Sequence, residues 1–251
     1  MCGRAVDAVG FIPADGLAVD PGAPDPTATV AGLCAELVPA LLADGARRIT
    51  IDHVDVAPLG IALSNLGFGR GGVFATQSVR PASVTRTAVD VDIRIGTADD
   101  LDAIAALSYI EFSQRSAAPI YAAPQPRSPN DILDHHRRLL DDGAVHLLAR
   151  RQGTDVGLLT IELTSPAPRL CPNGQPYIGP TATDPSVRGQ YIGRALAHAA
   201  HEWAHRAGYH VISVDFAPSN PLSRPFWLGL GFQPTGYRLR RTIDPAHTLR
   251  T

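Results

Sequence analysis

The chain has 251 residues, 22 basic against 24 acidic, a net charge of −2 and 45% hydrophobic residues. That is length for one large domain or two small ones and apolar content for a real core, so global disorder is excluded. The near-neutral balance argues against a dedicated nucleic-acid or membrane-surface binder, and no run of about 18 apolar residues is present to span a bilayer.

Residues 20–29 (DPGAPDPTAT) and 79–90 (VRPASVTRTAVD) are rich in Pro, Ala and Thr and read as weakly ordered, the second as an interdomain linker. Beyond it, Val91–Ile95 alternates as a strand. Thr97 with Asp100 three residues on is a capping box that opens a helix to about Ser113. A Pro-rich loop covers 117–128, followed by a helix over Asn130–Asp141. Val145–Arg150 and Asp155–Leu163 read as strands joined by a turn. After a loop over 164–176 come a strand at Tyr177–Thr183, a helix from about Ile192 to Ala207 stopped by Gly208, and a strand at Val211–Phe216. A short helix at Leu222–Leu230 and a last strand at Tyr237–Ile243 complete a mixed α/β domain.

The first part of the chain repeats the end of that domain. Gly45–Asp52 (GARRITID) answers Gly208–Asp215 (GYHVISVD), Pro58-Leu59 answers Pro221-Leu222, and Leu66-Gly67-Phe68 answers Leu230-Gly231-Phe232. Val19-Asp20-Pro21 resembles Thr183-Asp184-Pro185. Residues 1–80 therefore read as the second half of the same fold without its opening elements.

All 22 basic residues are Arg. Without lysine, Schiff-base, pyridoxal-phosphate, P-loop and protein-kinase chemistry is excluded, because each needs a lysine amine. The cysteines, Cys2, Cys34 and Cys171, are odd in number and scattered. They fit a reduced, cytoplasmic compartment, and the N-terminus lacks the apolar core of a signal peptide.

The segment Pro185-Ser-Val-Arg188-Gly189-Gln190-Tyr191-Ile192-Gly193-Arg194 joins a strand to a helix. Its glycines allow close backbone approach. The first helical amides lack intrahelical partners, and with the helix dipole they form an anion site suited to a pyrophosphate. Downstream stands Asn220-Pro-Leu-Ser223-Arg-Pro-Phe226-Trp227-Leu-Gly-Leu-Gly231-Phe232. Together, in this element order, the two blocks resemble the GCN5-related N-acetyltransferase (GNAT) superfamily over about residues 91–243. Its signatures are (Arg/Gln)-x-x-Gly-x-(Gly/Ala) and Asn-x-x-Ala-x-x-Phe-Tyr-x-x-x-Gly-Phe. Three positions depart: Tyr191 for the first Gly, Ser223 for Ala, and Trp227 for a tyrosine that in many members protonates the leaving thiolate. An indole cannot act as that acid.

The resemblance implies a GNAT fold, a mixed central sheet flanked by helices, over 87–251. A truncated GNAT-like half with its linker precedes it over 1–86, lacking a recognisable phosphate-binding signature and expected to be non-catalytic. It implies an acetyl-CoA-dependent N-acetyltransferase that transfers directly to an amine. Arg188, Gly189, Gln190, Tyr191, Ile192 and Gly193 would hold the pyrophosphate. Ala182, Thr183 and Asn220 would hold the pantetheine arm. Ser223, another tyrosine or solvent would protonate the thiolate. An ammonium also needs a base. Glu162 shares strand parity with Leu158 and Thr160, and either faces the cleft or is a solvent-facing carboxylate. Glu111, near the substrate-side loop, is the other candidate. The expected partners are acetyl-CoA, as acyl-donor substrate, and a small-molecule or peptide amine, with no metal, nucleic acid or membrane; a homodimer stays open.

Two rival readings stand beside this one. A non-catalytic acyl-CoA-binding module would explain Trp227. A zinc hydrolase is suggested by His201-Glu202-Trp203-Ala204-His205, a literal His-Glu-x-x-His. Against the second, a third ligand is missing from the expected places. Ile192, Ala195, Leu196, Ala199 and Trp203 form the expected apolar face, which leaves the histidines on the polar one. His135-His136 read as surface residues, and Arg238, Arg240 and Arg241 as a solvated strand end.

Overall fold

The computed structural model describes residues 6–12, 25–54, 57–80, 90–121 and 128–243. In chain order the elements are β1 Val6–Ile12, α1 Pro26–Ala43, β2 Ala46–Val54, α2 Ala57–Asn65, β3 Gly69–Ser78, β4 Asp92–Ile95, α3 Leu101–Ser116 and α4 Pro129–Asp141. Then follow β5 Val145–Arg151, β6 Thr154–Glu162, β7 Tyr177–Thr183, α5 Ile192–Arg206, β8 Val211–Phe216, α6 Ser223–Gly229 and β9 Gln233–Thr242. They form two compact units, Met1–Phe74 with Pro234–Thr251, and Ala75–Gln233.

In the first unit the strand order is β1-β2-β9-β3, with β1 parallel and β9 antiparallel to β2. The expectation of weak order over 20–29 fails from Pro26 onward. Asp25 caps α1 by accepting from the Thr27 N–H at 3.0 Å, and Pro26 supplies a first turn that needs no donor. Residues 20–24, most of the expected linker (81–89), and Val19-Asp20-Pro21 lie outside the described residues. The core collects Val30, Ile49, Ile51, Leu59, Leu63, Phe68 and Leu239. Arg238 is not part of a solvated strand end. It makes a two-pronged ion pair with Asp52 at 2.7 and 2.6 Å, because the β2–β9 register sets the two opposite each other. Exposed Arg241 donates to the Leu66 carbonyl at 2.7 Å.

The order β1-α1-β2-α2-β3 recurs as β7-α5-β8-α6-β9. The glycines that end the helices keep their left-handed conformation in both copies: φ is +86° at Gly45 and +83° at Gly208, +80° at Gly67 and +97° at Gly231.

In the second unit the order is β8-β7-β6-β5-β4, with β7 parallel to β8 and the other pairs antiparallel. The Thr97–Asp100 capping box is present and leads through one 3₁₀ turn into α3, which runs to Ser116 because nothing in 114–116 stops it. Ser128 and Asp131 form a second box at α4. Successive strand residues point to opposite faces. Leu158 and Ala182 thus meet Ile104 and Leu107 of α3 on one face, each fully buried side chain worth about 1.5–3 kcal/mol. Gly157 faces α5 on the other, where an added Cβ would lie 3.0 Å from Leu196 and 3.2 Å from Ile192. That glycine sets how closely α5 approaches the sheet.

Two surface expectations are corrected. The buried stripe of α5 is Ile192, Leu196, Ala197, Ala200 and Ala204, rotated from the expected one, which leaves Ala195, Ala199 and Trp203 at the margin. His136 is fully buried, its ring 4.9 Å from that of buried His146, whose Nδ1 lies 2.9 Å from the Thr160 hydroxyl. Both rings are held neutral by burial, at about 3 and about 4.

Candidate functional site

β7 and β8 pair only at Tyr177–Ser213 and Ile178–Val214. β7 then continues to Thr183 with β6 as its ladder partner on the far side. The register slips where Gly179-Pro180 stand against Thr160, between the pairs Leu159–Thr181 and Ile161–Ile178. Glycine and proline suit such a bulge, since proline offers no N–H to a ladder. Beyond it the backbone of β7 turns an edge toward a cavity of about 430 Å³ lined by α3, β7, the start of α5, and α6. That volume lies in the range of small-molecule sites.

One end of the cavity is lined by the turn and first residues of α5. Asp184 caps the turn Pro185–Val187 by accepting from the Ser186 N–H at 2.8 Å. Gly189 and Tyr191 follow in the left-handed region, φ +76° and +63°. The first α5 bond runs from the Ala195 N–H to the Tyr191 carbonyl at 3.0 Å, so the amides of Ile192, Gly193 and Arg194 precede any intrahelical partner. Tyr191 holds the conformation the family signature reserves for glycine, at a cost of about 1 kcal/mol, with its ring out in solvent. A Cβ on Gly193 would sit 3.3 Å from the Phe226 ring and 3.7 Å from Thr183 Oγ1.

Of the sequence-predicted residues, Ala182, Thr183, Arg188, Gly189, Tyr191, Ile192, Gly193, Ser223 and Glu111 line this one cavity. Arg188 spans it loosely, donating to the Thr183 carbonyl at 3.4 Å and to Gln114 at 3.3 Å. Three others stand outside the lining. Gln190 accepts from Arg151. Asn220 holds the turn that precedes α6, its carboxamide oxygen accepting from Leu222 and Ser223 N–H at 3.0 and 3.1 Å. Glu162 lies over Gly179, beside the bulge.

On α6, the Ser223 hydroxyl is buried without a partner among the described residues. Trp227 is buried edge-to-face between Phe226 and Phe232, with centroids 4.7 and 5.3 Å away. Glu111 is paired with Arg115 at 3.3 Å, and burial still pushes its carboxyl upward. Glu162 keeps the predicted parity and turns to the α3 face of the sheet, as its contact with Gly179 and its pairing with Tyr177 require. Burial, then the neighbouring Asp215 charge, raises it to about 7. The Tyr177 hydroxyl donates to Asp215, and burial drives that phenol's pKa well up. Sequence reading missed Tyr177, Asp215 and Arg115. The available signal was a carboxylate, Asp215, inside the apolar run Val-Ile-Ser-Val-Asp-Phe of a central strand.

The His-Glu-x-x-His residues are engaged elsewhere. His201 Nε2 meets the Gln77 side chain at 2.9 Å, and Glu202 pairs with Arg206. Among the described residues, no group of three or more His, Cys, Asp or Glu is placed to hold a metal ion. No helix among them is long and apolar enough to cross a membrane.

Residues 109–232 match the Acetyltransferase (GNAT) family model. No curated protein is significantly similar in sequence. Among solved structures, a GCN5-related N-acetyltransferase from Sphaerobacter thermophilus aligns with a TM-score of 0.58 at 16% identity, over 87% of this chain and 68% of that one. One from Kribbella flavida gives 0.55 at 17%, over 87% and 76%. A tandem GNAT protein of the clavulanic acid biosynthesis pathway gives 0.55 at 14%, over 86% and 70%. At these identities the likeness is one of fold, and the fold is the expected GNAT α/β architecture.

Proposed function

Since residues 109–232 form a domain of the GNAT acetyltransferase family, we propose that the protein is an acetyl-CoA-dependent N-acetyltransferase acting by direct transfer to an amine. One observation carries the reading: the free edge of β7 and the partnerless first amides of α5 open into the same cavity. The pantetheine amides would pair with the backbone of Ala182-Thr183 as an added strand. The pyrophosphate would sit on the amides of residues 188–193, with Arg188 adding charge.

The amine nitrogen attacks the thioester carbonyl. A C–N bond forms and the C–S bond breaks. Glu162, raised to about 7, takes the ammonium proton directly or through water. The departing thiolate takes a proton from solvent or by way of the Ser223 hydroxyl, whose lack of a partner leaves it available. Trp227 supplies packing and no proton. Glu111, tied to Arg115, lines the acceptor side of the cavity.

The first 86 residues we read as a truncated relative without a catalytic site, on the recurrence of element order and helix-ending glycines. By descent the division falls at 86/87, while β9 is a member of the first compact unit.

The test is calorimetry with acetyl-CoA on the parent and on an Arg188→Glu/Gly193→Asp variant, followed by amine-dependent CoA release. Binding by the parent alone is expected. Equal binding by the two, or none by the parent, would overturn the assignment.

A further inference from the structure

Two carboxylates flank the bulge of β7. Glu162 is paired with Tyr177 across β6–β7, and its Oε1 lies only 1.9 Å from where a Cβ on Gly179 would be. On the other side of β7, Asp215 stands two residues beyond Ser213, the partner of Tyr177. Asp215 shares the face of Tyr177, from whose hydroxyl it accepts. Glycine at 179 leaves no side chain against the Glu162 carboxylate.

We propose that Asp215, fixed by the Tyr177 hydroxyl, is a positioning residue for Glu162, and that its charge sets the pH at which Glu162 takes up and releases a proton. This rests on the reading of Glu162 as the general base. The other titratable groups around Glu162 and Asp215 are Glu111, Arg115, Tyr177, Cys171 and His146. From α3, Arg115 pairs with Glu111 at 3.3 Å and also lies within electrostatic reach of Asp215, without an ion pair to it. From β7, Tyr177 is neutral and engaged with Asp215 itself. Cys171, in the loop before β7, is a buried thiol near Tyr177. From β5, His146 is tied to Thr160 and neutral. No ion pair to Asp215 forms among the described residues.

The internal repeat supplies an independent comparison. Asp52 occupies the place of Asp215 in the first copy, and there Arg238 closes on it with two hydrogen bonds of 2.7 and 2.6 Å. Arg238 stands six residues after Phe232; six residues after the matching Phe68 stands Phe74. The same strand position carries a neutralised aspartate in one copy and an aspartate with only a phenol donor in the other. A carboxylate without an ion-pair partner beside a second one makes the second harder to ionise.

Glu162 is one of only four glutamates in the chain, with Glu36, Glu111 and Glu202. Carbon-13 labelling of the glutamate carboxyls therefore gives a tractable NMR titration that needs no acceptor, with Glu162→Gln assigning its signal. Asp215→Asn is expected to lower the Glu162 midpoint by about 0.5 to 1 unit, and Asp215→Glu, which keeps the charge, to hold it near the parent value. Asp215→Ser serves if the Asn variant does not fold. An unchanged midpoint on removal of the charge would overturn the proposal and leave burial as the sole cause. Failure of the base assignment has a separate signature, namely amine acetylation undiminished in Glu162→Gln.

Discussion

A single methyl group on Gly179 tests whether the position of Glu162 matters. The Cβ of Gly179→Ala would lie 1.9 Å from Glu162 Oε1, 3.0 Å from Cδ and 3.6 Å from Cγ. Non-bonded contact requires about 3.0–3.4 Å, so the carboxylate oxygen must retreat by roughly 1.1–1.5 Å. The stem of Glu162 can rotate, and Gly179 has no positive φ to strain an alanine, so the fold is expected to tolerate the change within about 1 kcal/mol. A displacement of about 1 Å in a catalytic group costs on the order of 10²-fold, and a general base contributes about 10²–10⁴-fold in all. The assay is CoA thiol release, using the amine that the parent turns over fastest. Gly179→Ala should lose about 10²-fold in kcat/KM, approach Glu162→Gln, and bind acetyl-CoA as the parent does. A Gly179→Ala enzyme within threefold of the parent, beside an impaired Glu162→Gln, would refute the geometric reasoning.

Transfer should rise with pH through about 7 as Glu162 loses its proton, read as the acidic limb of kcat/KM. Because that folded-state value lies above the ordinary 4.5, Glu162 favours folding fully below pH 4.5 and loses this contribution as pH rises through 7; thermal melts of Glu162→Gln should lack that slope. The buried pair His136 and His146 acts in the opposite direction: its contribution is complete above pH 6.5 and fades as pH falls toward 4, so His136→Phe should flatten the acid side of the melting profile. Ser223→Ala removes a hydroxyl that has no protein bond to lose. Stability should stay level or rise by up to about 1 kcal/mol while kcat falls, and a parent-like kcat would remove Ser223 from the proton path. A fragment spanning 87–251 strips β9 of both neighbours, β2 and β3, and uncovers Leu239, so it should aggregate. A soluble monomer with parent-like near-ultraviolet circular dichroism would contradict this.

Much of the architecture was legible because it is written in local spacing. The capping box at Thr97, the glycine that ends α5 and the exact span of β7 all follow from interactions within a few residues. The recurring element order and helix-ending glycines have the same local origin, since a turn glycine and the apolar run beside it lie within a few residues. The start of α5 at Ile192 was readable too, since a helix start and its glycines are contiguous in the chain. Errors came where a neighbour distant in sequence decides. Proximity of His146 buried His136, Gly157 turned α5 onto Leu196 rather than Trp203, and Asp52 drew Arg238 out of the solvent. The reacting end belongs to that second class. Sequence parity alone determined that Glu162 shares a face with Thr160, but what that face looks upon was decided by the slip at Gly179-Pro180 and the early parting of β7 from β8. Only there do side chains from positions 111, 162, 177 and 215 come within electrostatic reach of one another. Pairing across a sheet is set by packing and register between segments, and no spacing within any one of them encodes it.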